Sequence, residues 1–376
     1  MASSTQNPPH HLSTPHGATA APPPTPSAQP NLSSNNATLP DALSHLLHRL
    51  PPTLSLSLST RRRSSSTTTT ATPPVINLSD PTPPLHSAST QLGYFHLTPH
   101  HPISPHLPPA AESAALSLFN LPHHRKKLLF PNTWPLGYDS LDNEDDDDDV
   151  STAGESFCLD SSCSAESAIE SDIDLGSLRE LGSEMEKLGL KVMEELGSVV
   201  GFESPGKDDP TRLCSLLWVS DGMNKPGRVY PYVIGLHYQM RCQKYSLLSD
   251  SGWANVSGQA DSVLVTLGDI AQVWSNGKLK KVRGIPMPIS MDANDNNNSS
   301  CITMSLLITL PLESTVSPLI PGLDINAIEE YHEDGIDSIT KTGKRSLFRS
   351  FSFEDYAWRV YHERLLFKDP LVRYRV

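Results

Sequence analysis

Between 175 and 200 the apolar residues Leu178, Leu181, Met185, Leu188, Val192, Met193, Leu196 and Val199 recur every three or four positions. That spacing lines one face of an α-helix. Arg179, Glu180, Glu184, Glu186, Lys187 and Glu194 fall on the other face. The stretch therefore predicts a long scaffold helix lying with one side against a sheet. From Leu213 to about Leu312 the pattern shortens to strand-like runs. The segments 229–238, 244–248, 263–267 and 302–310 are rich in β-branched or aromatic residues, with Gly, Asp, Asn and Ser between them. Short strands at this spacing predict an all-β barrel or jelly roll. Upstream, 75–78 and 93–97 predict two short strands with a short helix over 85–92 between them. Ala110 opens a helical pattern that stops at Asn120-Leu121-Pro122. Tyr356, Trp358, Val360, Tyr361, Leu365 and Leu366 predict a final helix over 353–366.

Residues 1–72 carry no such pattern. They are rich in Ser, Thr, Pro and His, and the only acid before Leu78 is Asp41. A segment of this kind cannot bury enough apolar surface to offset its chain entropy, so disorder is expected. Its Ser-rich, acid-poor character, with Arg49, Arg61, Arg62 and Arg63, also fits an organelle transit peptide. Chloroplast therefore stands as the alternative to a cytoplasmic or nuclear location. One island differs. Leu43, Leu46, Leu47 and Leu50 share a helix face, Asp41 can cap it, and Pro51 and Pro52 end it. The 41–50 helix either binds a protein partner or docks on its own domain. The stretch 141–160 contains Glu144 and the block Asp145 to Asp149. Like charges repel, so it is read as a solvated acidic loop, with contact to a partner as the functional alternative. The boundaries that follow are 1–72 tail, 73–200 N-terminal region, 201–320 core and 321–376 C-terminal segment.

Composition narrows the function. Formal charge is −13, from 29 basic and 42 acidic residues, which argues against a nucleic-acid coat. No apolar run reaches the length of a membrane span. The five cysteines form no Cys-x-x-Cys pair, which fits free thiols. Phosphate loops, nucleophile elbows and His-Glu-x-x-His are missing from the sequence. Serines follow bases at Arg61-Arg62-Arg63-Ser64 and at Arg349-Ser350-Phe351-Ser352, where phosphorylation is an option.

Several local motifs together resemble one family. Leu267-Gly268-Asp269-Ile270-Ala271-Gln272-Val273-Trp274-Ser275-Asn276-Gly277-Lys278 resembles the turn and strand before the distal histidine of the plant-type 2-oxoglutarate/iron(II) oxygenases. Asp250-Ser251-Gly252-Trp253 with Val256 resembles the preceding hairpin. Pro74 to Ser79, Gly93 to Leu97, Trp134 to Tyr138 and Ser352 to Tyr356 resemble earlier and later segments in the family's order. The resemblance implies a mainly β fold with flanking helices: a double-stranded β-helix (jelly roll) preceded by a helical N-terminal region.

It also implies where chemistry belongs. The family holds iron(II) with a His-x-Asp pair and a distal His, leaving open positions for 2-oxoglutarate and oxygen. Counting from Gln239 puts the pair at Arg228 and Tyr230; counting from Gly277 puts the distal His at Gly284. Arg carries only donors and Gly has no side chain. The Arg-x-Ser that grips the co-substrate falls at Thr303 and Ser305, keeping only the Ser. A co-substrate Tyr falls at Leu216. No iron or 2-oxoglutarate is therefore expected, and the chain reads as a non-catalytic binding or regulatory protein. The alternative is an active dioxygenase with iron(II), 2-oxoglutarate and non-standard ligands, acting on a small metabolite. Counting from Arg228 puts His237 on the opposite face of its strand, as a packed or surface residue. His332 and His362 fall outside the barrel strands. The tail residues His10, His11 and His16, and the pair His100-His101, offer loose metal contacts only. Arg228 with Arg283 could hold a small carboxylate where iron once sat; otherwise Arg228 pairs with a local acid or points to solvent.

Overall fold

The computed structural model describes residues 72–97, 103–140, 154–160, 174–207, 209–221, 230–240, 244–289, 302–321, 346–363 and 368–376. The predicted helix at 41–50, the acid block 144–149 and Arg228 lie outside them, as do His10, His11, His16, His100, His101, His332 and the serine after Arg63.

The chain opens with strand β1 (Val75–Ile76), helix α1 (Thr82–Ser87), which runs on as a π-helical stretch (Ala88–Leu92), and β2 (Tyr94–Leu97). Helices α2 (Leu107–Phe119) and α3 (His123–Leu129) precede β3 (Gly137–Ser140) and β4 (Glu155–Asp160). The scaffold helix α4 (Gly176–Val200) follows. Then come β5 (Cys214–Asp221), β6 (Ile234–Gln239), β7 (Lys244–Ser249), β8 (Gly252–Ser257) and β9 (Ser262–Leu267). The short helix α5 (Asp269–Trp274) leads to β10 (Val282–Ile289), β11 (Ile302–Thr309) and the pair β12 (Thr315–Val316) and β13 (Phe351–Ser352). Helix α6 (Phe353–His362) comes last.

Eight strands form one sheet in the order β1-β2-β9-β6-β11-β5-β4-β3, and three form another, β10-β7-β8. The two faces of the larger sheet follow from strand alternation. On its outer face Leu236 and Ile308 press on α4. A methyl at Gly189 of that helix would sit 2.5 Å from Ile308 and 2.7 Å from Leu236, so only glycine admits this approach. The helix buries Leu178, Leu181, Met185, Leu188, Val192, Met193 and Leu196, as its spacing predicts. Each such side chain stabilises by roughly 1.5–3 kcal/mol. On the inner face Tyr94 and Leu264 meet Tyr245, Leu247, Val256 and Val282 of the smaller sheet, closing a jelly roll.

Three predicted elements differ. The strand read over 229–238 begins only at Ile234. Pro231 has no N–H to give, and the backbone of the next two residues is used elsewhere. Val233 N–H donates to Ile308 O, while Gly268 N–H and Ile270 N–H donate to Val233 O and Tyr232 O. The loop read over 141–160 ends early, because Phe157, Cys158 and Leu159 are buried and β4 joins the large sheet between β3 and β5. The stretch after Leu267, read as turn and strand, is the helix α5, with every residue buried.

A charged knot ties the C-terminal segment to the barrel. Fully buried Lys281 pairs with Asp269 at 2.8 Å and with Asp369 at 2.6 Å. Tyr356 of α6 donates to Asp269 at 2.7 Å, and Arg375 reaches Asp369 at 3.2 Å. Burial pushes the Asp369 carboxyl up, but Lys281 outweighs it and holds the group below its ordinary range.

Candidate functional site: the centre of the barrel

Four side chains on or beside the large sheet's inner face join in a line. Ser305 Oγ lies 2.8 Å from His237 Nδ1, and His237 Nε2 lies 2.9 Å from Thr266 Oγ1. Thr266 Oγ1 lies 3.1 Å from the Tyr232 hydroxyl. That hydroxyl donates to the carbonyls of Val282 at 3.2 Å and Gly284 at 3.1 Å.

The line has one consistent direction. A carbonyl can only accept, so Tyr232 must donate toward β10. Its oxygen then accepts from the Thr266 hydroxyl. Thr266 in turn accepts from His237 Nε2–H, and His237 Nδ1 accepts from the Ser305 hydroxyl. The tautomer of His237 follows from the network. Burial drives its pKa down to about 3, so the ring is neutral. Burial also pushes the Tyr232 phenol up. The line is neutral throughout, and both imidazole nitrogens are committed.

Sequence positions assigned to metal chemistry map onto this line unevenly. Gly284 is its terminus, through its carbonyl. Its φ is +72°, a left-handed conformation, and the pairing of β10 with β7 shifts register between Arg283 and Met287. Glycine suits such a bulge. Tyr230 is 3% exposed and lies in an aromatic cluster, with ring centroids 6.1 Å from Trp134 and 6.2 Å from Phe353. Burial pushes its phenol up, so it carries no anionic oxygen at neutral pH. Ser305 belongs to the line. Thr303 stands two residues away on the same face, and buried Leu216 is on β5, opposite Leu307.

His237 is packed, 3% exposed, on the inner face of a strand that starts at Ile234. Arg283 is a correction. Val282 lies in the inner cluster, so Arg283 turns to the far side of β10, where its charge acts on Asp369 rather than at the mouth. His362 is exposed and stacks on Trp358 at 4.6 Å. Cys158 and Cys214 are free thiols, the latter pushed up by burial to about 11.

Tyr232 and Thr266 were not singled out in the sequence. Thr266 carried a signal, as a polar residue within the apolar run Val263-Leu264-Val265 to Leu267. Tyr232 carried none, because its role depends on a bulge.

These donors do not fit an iron(II) facial triad. From Gly222 to Leu236, and from Ile270 to Ile289, the sequence contains no His, Cys, Asp or Glu, whatever register is chosen. Among the described residues no group of three such side chains is placed to hold a metal ion, and no helix is long and apolar enough to cross a membrane.

No family model matches the sequence, and no curated protein does. Solved structures do match. The rice dioxygenase for auxin oxidation superposes with a TM-score of 0.57 at 17% identity, over 81% of this chain and 99% of that one. JOX2, solved with 2OG, Fe and JA, gives 0.57 at 16%, over 78% and 86%. A full-length Neurospora crassa protein, solved in complex with alpha-KG, gives 0.53 at 16%, over 77% and 95%.

Proposed function

On the jelly-roll fold that this chain shares with 2-oxoglutarate/iron(II) oxygenases, we propose a non-catalytic protein that acts by binding. The observation that carries the reading is Gly284. It stands where the resemblance puts the distal histidine, its backbone is left-handed, and its carbonyl is taken by Tyr232. A ligand nitrogen cannot come from that position. The neutral line from Ser305 to Tyr232 supports the same reading, since it engages the one histidine turned into the barrel from β6. Binding partners proposed from sequence are a protein at 41–50 or at the acid block 144–149, and a small carboxylate at Arg228.

A second reading is an active oxygenase with unusual ligands. It is supported by the structural neighbours, since JOX2 was solved with 2OG and Fe and the Neurospora crassa protein with alpha-KG. One experiment separates the two. The full chain is purified without chelator, its iron is quantified by elemental mass spectrometry, and succinate release from 2-oxoglutarate is followed. The binding reading expects iron far below one per chain and no succinate above a blank. Stoichiometric iron with turnover would establish the enzyme instead.

A further inference from the structure

The inner face of the large sheet is polar, and among the described residues its strands supply no cation. Strands β5, β6, β9 and β11 contain no Lys or Arg. Across the sheet Ser156 pairs with Ser220, Ser220 with Thr303, and Gln239 with Ser262. Two buried donors on this face have no hydrogen-bond partner among the described residues: Trp218 Nε1 and Gln239 Nε2. Trp218 is 3% exposed and Gln239 0%.

Both orphans are donors by construction. An indole nitrogen can only donate. The orientation of the Gln239 amide is fixed by its other end. Its Oε1 accepts from Gln259 N–H at 2.8 Å and from Ser262 Oγ at 3.4 Å, so the NH2 group is the end left over. A buried donor without a partner bears its full desolvation cost, and native proteins rarely leave one so. The two donors flank Thr303. Trp218 lies opposite Ser305 on one neighbouring strand, and Gln239 sits on the other. At Thr303 the resemblance would put a guanidinium for a carboxylate. Here the position is a neutral hydroxyl, on the strand that lies between those carrying the two neutral N–H groups.

We propose that the inner face around Thr303 binds a small uncharged molecule through its carbonyl or ether oxygens, with Trp218 Nε1 and Gln239 Nε2 as donors. The site deepens the reading of a metal-free binding barrel and rests on it. A dicarboxylate such as 2-oxoglutarate is a poorer match for these two neutral donors. Its charge would leave water for strands that supply no Lys or Arg among the described residues. A neutral amide, lactone or ketone meets the donors without that penalty.

The test uses the full chain and N-methylacetamide as the neutral carbonyl probe, with 2-oxoglutarate as the charged one. The indole ¹H–¹⁵N resonance of Trp218, identified by its loss in Trp218→Phe, is followed by NMR. Saturable movement with N-methylacetamide, no response to 2-oxoglutarate, and at least tenfold weaker response in Gln239→Met are expected. No saturable movement in the wild-type protein overturns the site and assigns the two donors to water; that titration decides alone if Gln239→Met does not fold. Iron measured on the same sample keeps the two readings apart. A silent indole in iron-free protein removes this site only. A 2-oxoglutarate response in iron-loaded protein removes the binding reading itself.

Discussion

His237 Nδ1 accepts a hydrogen bond from Ser305 Oγ across the adjacent strands β6 and β11, at 2.8 Å. The contact joins a serine that the family resemblance picks out to a histidine that it does not. In the resemblance that serine faces a charged co-substrate; here it faces a neutral ring. The groups on the inner face bond to one another, and the first consequence concerns pH.

In the unfolded chain an imidazole titrates near 6.5, whereas in the fold His237 titrates at about 3. Above 6.5 neither state holds the extra proton. Below it the unfolded chain takes one up and the folded chain does not, so stability falls with pH. The slope is about 1.4 kcal/mol per pH unit for one such group. His96, lowered by burial as well, adds to it. Urea unfolding between pH 6.5 and 4.5, above the main carboxylate range, should show this loss. His237→Gln should flatten the slope; an unchanged slope would mean that His237 is not held neutral.

Placing at Gly284 the histidine that the resemblance puts there should not create a metal site. A side chain there must adopt φ +72°, at a cost of about 1–2 kcal/mol. Tyr230 remains a neutral phenol. Gly284→His is expected to unfold at lower denaturant and to purify with no more iron than the parent. Elemental analysis giving one iron per chain would refute this.

Gly235 sits beneath the His237 ring. A methyl there would lie 2.8 Å from Thr266 Oγ1 and 3.0 Å from His237 Nε2, wedged into the hydrogen bond between them. Gly235→Ala should cost about 1–3 kcal/mol from overpacking. It should also remove the slowly exchanging Nε2 proton of His237 from the NMR spectrum. Survival of that signal would show that the ring does not depend on this close approach.

Lys281 is the fully buried cation between Asp269 and Asp369. Lys281→Met leaves the buried Asp269 carboxylate without its cation beside the half-buried Asp369, and a loss of about 3–5 kcal/mol is expected. Lys281→Met combined with Asp369→Asn should recover part of it. Thermal unfolding of the three proteins measures both effects, and strict additivity would argue against a coupled pair.

The elements easiest to read in the sequence were those whose burial is one-sided. Helix α4 showed its apolar stripe because only one side meets Leu236 and Ile308. Strands β9 and β11 showed as apolar runs. Strand β4 was lost beside its run of acids, although Phe157-Cys158-Leu159 was there to be seen. At the site, the sequence singles out Gly284 and Ser305, the first beside the segment 267–278 and the second at a serine that the resemblance marks. Tyr232 could not. Its hydroxyl meets the backbone of β10, and a contact to a carbonyl leaves no trace in the partner's residue type.

The knot at Asp369 has a practical side for anyone handling this protein. Val376 is 64% exposed, so a purification handle appended there meets solvent. Cutting the chain a few residues earlier is a different operation. Loss of 369–376 takes away one of the two carboxylates that meet a fully buried ammonium, together with the arginine that flanks it. Appending is therefore expected to be tolerated, and trimming to yield insoluble protein.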